Sequence, residues 1–213
     1  MISWLTAAAL AAPDQFAPCD VQARFFASET RSLKSEPPDL WWIQDDPCEG
    51  DTLAGAPPPT GDAVWCEDRR GRRHGRQTSF EGGRISLETG WSVGQETGVR
   101  RVYNPEGVLV STTEVRGGER HGERVEASLS GGITISSWVR GEQTGPVWHI
   151  DASGHLNLVS HWRDGVRHGR ACTWRDGELE VDTEWRLGEP AVSAPDVSPP
   201  TTITLTPPGP EEG

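Results

Sequence analysis

The 213 residues carry 32 acidic and 20 basic side chains, a formal net charge of −12, and 25 glycines with 17 prolines. The acids concentrate in the flanks: ten against three bases in 1–66, eighteen against seventeen in 67–188, and four against none in 189–213. This excludes the concentrated basic patch that a nucleic-acid backbone requires, and no apolar run is long enough for a membrane-spanning helix.

Residues 1–12 read as a signal peptide. Ile2–Ala12 is a short apolar run, and Ala9-Leu10-Ala11 fits a small-x-small cleavage pattern, although the usual basic start is missing. The expected location is periplasmic or secreted, with the cytoplasm as alternative.

Residues 13–67 read as an N-terminal cap. Asp20 is placed to cap a helix over Val21–Ser35 that brings Val21, Phe25 and Phe26 to one side, and Pro37-Pro38 ends it. Leu40-Trp41-Trp42-Ile43 is a compact apolar cluster. Cys19, Cys48, Cys66 and Cys172 show no CxxC spacing, so a metal site is not expected. Cys48 and Cys66 bracket the Gly/Pro-rich stretch Glu49–Trp65, which nothing else visibly holds. A bond between them is expected and would contribute on the order of 3 kcal/mol by chain entropy. Whether Cys19 and Cys172 pair stays open. The cap is expected to dock on the first hairpin and hide its edge.

Residues 68–189 contain five units of 23–24 residues. Glycine recurs at 71, 94, 118, 141, 165 and 188, again four residues later at 75, 98, 122, 145 and 169, and a third time at 83, 107, 131, 154 and 177. In the fifth unit Asp176-Gly177 signals a hairpin turn. Leu179, Val181, Thr183 and Trp185 then alternate with Glu178, Glu180, Asp182 and Glu184, as in a half-buried strand. Three columns recur: Phe80, Tyr103, Ala127, Ile150, Trp174 before the turn; Ile85, Leu109, Ile133, Leu156, Leu179 after it; and Trp91, Val115, Trp138, Trp162, Trp185 at the end of the second strand. The expected fold is all-β, an elongated single antiparallel sheet of tandem hairpins, ten strands long, with one aromatic face and one charged face. The third unit departs in two ways: Ala127 replaces an aromatic, and its second half is one residue short. Residues 190–213, rich in proline, are expected to be disordered.

The pattern Trp-x-x-Gly-x-x-His-Gly…Trp-x-Asp-Gly-x-Leu…Trp resembles the MORN repeat, and in particular the repeats of bacterial YwqK-family antitoxins. The resemblance covers about Asp68–Glu189, and residues 1–67 have no counterpart in it. It implies a hairpin sheet, and as functions an antitoxin or immunity-type inhibitor or a membrane-lipid binder. The acidic flanks and the single Lys34 argue against anionic lipid.

The candidate chemistry is sparse. His74, His121 and His168 recur two units apart, nearly 20 Å in a sheet, too far to share an ion. His149, His155 and His161 form the only local histidine cluster. The acids alternate regularly with apolar residues and arginines, as on a solvated face, and no nucleophile motif or phosphate loop is present. The expectation is therefore no catalysis, no cofactor and no metal. The binding candidates are the aromatic side chains Trp91, Tyr103, Trp138, Trp162, Trp174 and Trp185, exposed to a protein or envelope component of unknown identity on a monomeric scaffold.

Overall fold

A computed structural model describes residues 14–27, 33, 39–128 and 131–191. The expected signal segment, most of the tail, the second half of the expected helix and the side chains of Phe25 and Phe26 lie outside these. One antiparallel sheet of 13 strands runs in strict chain order. Its first strands are β1 (Thr52–Ala56), β2 (Ala63–Glu67), β3 (Arg73–Glu81), β4 (Arg84–Ser92) and β5 (Gln95–Tyr103). β6 (Leu109–Arg116), β7 (Glu119–Ala127), β8 (Ile133–Val139) and β9 (Glu142–Ile150) follow. β10 (Leu156–Arg163), β11 (Val166–Arg175), β12 (Glu178–Arg186) and the two-residue β13 (Glu189–Pro190) complete it. The five repeats are β3–β12. The sheet exceeds the expected ten strands because the cysteine-bracketed stretch is itself a hairpin, β1–β2, and because Glu189 pairs back on Arg186.

The repeated glycines have two jobs. The first of each unit lies in a tight turn joining units. At Arg140-Gly141, Asp164-Gly165 and Leu187-Gly188 both central residues have positive φ, the geometry that matches strand twist. The second, at Gly98, Gly122, Gly145 and Gly169, also has positive φ and sits where the inter-unit ladder slips by two residues. Longer turns are closed by side chains: Asp151 Oδ1 accepts the backbone N–H groups of Ser153 and His155, and Asn104 Oδ1 accepts that of Val108.

A further irregularity decides which face each column occupies. In units one, two, four and five the second strand carries one extra residue near its start, within two pairs of the turn. Phe80 pairs with Ile85 but Ser79 with Leu87; Tyr103 pairs with Leu109 but Val102 with Ser111; Trp174 pairs with Leu179 but Thr173 with Val181. This β-bulge flips the alternation in mid-strand. The third unit, one residue shorter, pairs Ala127–Ile133 and Glu126–Thr134 with no slip.

One face, here the covered face, holds the apolar core. At its far end Val125, Ile135, Trp148, Ile150, Val159 and Cys172 pack with Cys19, and Leu33 and Trp174 lie against them. Helix α1 (Cys19–Ala27) rests on β10 and β11 and is tied there by Cys19–Cys172. Arg170 N–H donates to Gln15 O at 2.7 Å. At the near end Trp41, Cys48, Val64 and Cys66 form a second cluster with Trp42 and Phe80 against it. Trp41 is 2% exposed and its indole N–H donates to Thr78 Oγ1 at 2.9 Å. The expected Cys48–Cys66 bond is present. The cap expected on the first hairpin is thus divided: the Trp41 cluster sits there, whereas the helix lies at the opposite end, where Cys172 holds it.

Candidate recognition face

The bulges correct the expectation of one continuous aromatic face. Tyr103 and Trp174 stand on the covered face: Tyr103 donates to Glu88 Oε2 at 2.5 Å, and Trp174 packs on the Cys172 cluster. Trp91, Trp138, Trp162 and Trp185 stand on the other side, here the open face. The strict period-two reading of Leu179 to Trp185 fails because Glu180 is the extra residue that separates Leu179 from Val181.

On the open face a row of side chains runs across the strands. Trp65, Trp91, Val115, Trp138, Trp162 and Trp185 come from the even-numbered strands β2 to β12. Arg73, Glu96, Arg120, Gln143 and Arg167 come from the odd-numbered strands between, each at the second position after its turn glycine. Arg73 lies 5.0 Å from the Trp65 ring centre and 5.2 Å from that of Trp91. Arg120 lies 3.8 Å from Trp138, and Arg167 lies 5.7 Å from Trp162 and 4.9 Å from Trp185. Each such contact contributes roughly 0.5–1 kcal/mol at a partly exposed site.

The rings also lean back over their own strands. Trp138 Nε1–H donates to Ser136 Oγ at 2.8 Å, and Trp162 Nε1–H to Ser160 Oγ at 3.1 Å. Ser136 and Ser160 are therefore buried, together with Thr113 and Val147, although no described segment outside the sheet covers this face. A Trp–Arg layer over a Ser/Thr floor stands where a second sheet or helix layer would otherwise be needed.

Glu96 interrupts the row, in a setting that its place in the repeat does not reveal. It is 8% exposed and accepts from Thr89 Oγ1 at 2.6 Å and from Arg100 Nε at 2.7 Å. Burial pushes its carboxyl up, but the hydrogen bonds from Arg100 and Thr89 outweigh this and hold it below the ordinary range. The same pairing raises Arg100. Asp68 is held down at about 2 by hydrogen bonds from the Arg72 backbone and side chain.

The histidines do not converge. His74 Nδ1 and His168 Nδ1 accept the N–H groups of Val93 and Leu187 at 3.3 and 3.4 Å, bracing the next turn. His149 faces Thr134 on the open face, His155 is exposed beside Asp151, and His161 is buried on the covered face against Arg170 O. Among the described residues the only trio spaced to hold a metal is Cys19, Cys172 and Asp182, and its two sulfurs are bonded to each other. Two disulfides fit an oxidising, extracellular-type compartment. No described helix is long and apolar enough to cross a membrane. No family model matches the chain, and neither does any curated protein.

Proposed function

We propose that the chain is a non-catalytic scaffold of the MORN-like kind that holds a protein or cell-envelope component on its open face. The observation that carries this reading is the asymmetry of the two faces. The covered face is capped at its two ends, by α1 on β10–β11 and by the Trp41 cluster on β2–β3, each fastened by a disulfide. The open face presents half-exposed tryptophans, fixed guanidinium groups and two grooves of about 790 and 740 Å³. Rigid aromatic and arginine side chains are the groups that dominate binding energy in protein interfaces. Among the described residues the groups with displaced pKa values are Asp68, the Glu96–Arg100 pair, His149 and His161; the carboxylates are held ionised by arginine and do not meet the histidines, which lie on opposite faces.

The test is a crosslinking pull-down from the native envelope, comparing the wild type with Trp138→Ala and Trp162→Ala, each checked for an intact melting transition. A partner captured by the wild type and lost from the folded variants is the expected result. Undiminished capture by both variants would rule out the open face as the binding surface.

A further inference from the structure

One groove of the open face carries a charge that its own strands leave unanswered. It crosses β5, β6 and β7, encloses about 740 Å³ and is lined by Arg100, Arg120, Arg124 and Glu126. Arg100 is held by Glu96. Arg124 donates to Glu126 Oε1 at 2.5 Å. Arg120 is exposed, and among the described residues its guanidinium meets only the Trp138 ring. Three guanidiniums against two carboxylates leave a surplus of one positive charge. Strand pairing sets Thr113 directly between Arg100 and Arg124. Thr113 and its neighbour on the same face, Ser111, are 5% and 7% exposed and line the groove floor.

We infer that this groove receives a single carboxylate from an acidic peptide segment of the partner, with Arg120 providing the fork and Ser111 and Thr113 the floor. The inference rests on the open face being the recognition surface. Stacking on Trp138 fixes the Arg120 plane and leaves its N–H edges free, so little side-chain entropy is lost when a planar carboxylate docks. The surplus of one charge matches a carboxylate. A phosphate dianion would overcompensate it beside Glu96 and Glu126. The two internal glutamates also show that carboxylates are the natural partners of these guanidiniums.

The test is a tryptophan-fluorescence titration of the full chain with a blocked hexaglutamate peptide, and separately with inorganic phosphate. A net charge of −12 gives no general attraction to a polyanion, so saturable binding reports a local site. The peptide should bind, weaken with salt, and lose about tenfold or more in affinity in Arg120→Gln, since a hydrogen bond to a charged group is worth about 1.5–3 kcal/mol. Thr113→Val should weaken it less. Arg116→Gln, on the opposite face, should leave it unchanged. Equal binding by wild type and Arg120→Gln, equal losses in Arg116→Gln, or saturation by phosphate but not by peptide would each overturn the inference. Envelope capture that fails in Trp138→Ala but survives in Arg120→Gln would sink this inference alone; capture indifferent to both would sink the proposed function with it.

Discussion

Breaking the Cys19–Cys172 bond should destabilise the protein more than breaking Cys48–Cys66, and the difference can be worked out from the chain. The first bond joins residues 153 apart and the second residues 18 apart. Loop-closure entropy then assigns about 5 kcal/mol to the first and about 3 kcal/mol to the second. The long-range bond also keeps α1 over Val159 and Cys172, both 0% exposed. Double alanine variants, Cys19→Ala/Cys172→Ala and Cys48→Ala/Cys66→Ala, should be compared by guanidinium denaturation under oxidising conditions. The first should lose about 2 kcal/mol more, and at roughly 2–4 °C per kcal/mol for a domain of this size its Tm should fall by about 10–20 °C. It should also be cut by trypsin after the exposed Arg24 before the sheet is attacked. An equal or larger loss in the Cys48–Cys66 variant would refute the reasoning, because the unfolded chain would then not gain the freedom assigned to it.

Other expectations follow from single contacts. Gly98 has φ +81° and open space around it, so Gly98→Ala should cost about 1–2 kcal/mol of backbone strain in denaturant titration. Gly169 has φ +109°, and an added methyl would lie 2.6 Å from Gln15 O. Gly169→Ala should therefore cost clearly more and release the N-terminal segment to protease, and equal costs for the two would contradict the close approach. Trp41→Ala should cost about 3–5 kcal/mol by equilibrium unfolding, and Trp41→Phe less, since it loses chiefly the bond to Thr78. Burial holds His149 and His161 below the ordinary 6.5, so on acidification the unfolded chain takes up these protons before the fold does. Stability should fall as pH drops below about 6.5, and His149→Gln/His161→Asn should flatten that limb. Glu96 and Asp68 are depressed instead, so their contribution is present above the ordinary carboxylate range and is lost as pH falls below about 4.5. Melting temperatures across this range should show the second decline in the double histidine variant too.

The hairpin array was legible because most of its positive-φ positions hold glycine, which adopts that conformation without strain, and those positions recur with the unit. The sides of the sheet were not legible. A bulge residue such as Ser86, Val110, Asn157 or Glu180 has no compositional mark, and one extra residue moves every later side chain to the other face. The visible trace was the third unit, whose missing residue is the missing bulge. β1 was hidden because Thr-Leu-Ala-Gly-Ala lacks the β-branched or aromatic density of a strand and is held by pairing with Ala63–Glu67. The Cys19–Cys172 bond was out of reach because its partners meet only after the whole sheet is built. Four of the six aromatic candidates, Trp91, Trp138, Trp162 and Trp185, share a face, and the arginines interleaved with them were missed because they contribute one residue per unit to a column not tracked across the strands.

The central claim, that recognition occurs on the Trp–Arg face, is tested most directly by placing a photo-crosslinking residue at Gln143, between Trp138 and Trp162 in the row, and at the exposed Glu114 on the reverse side of the sheet. Irradiation in the native envelope should yield a discrete adduct from position 143 and none from position 114. An adduct from position 114 alone would place the partner on the wrong side of the sheet and contradict the account.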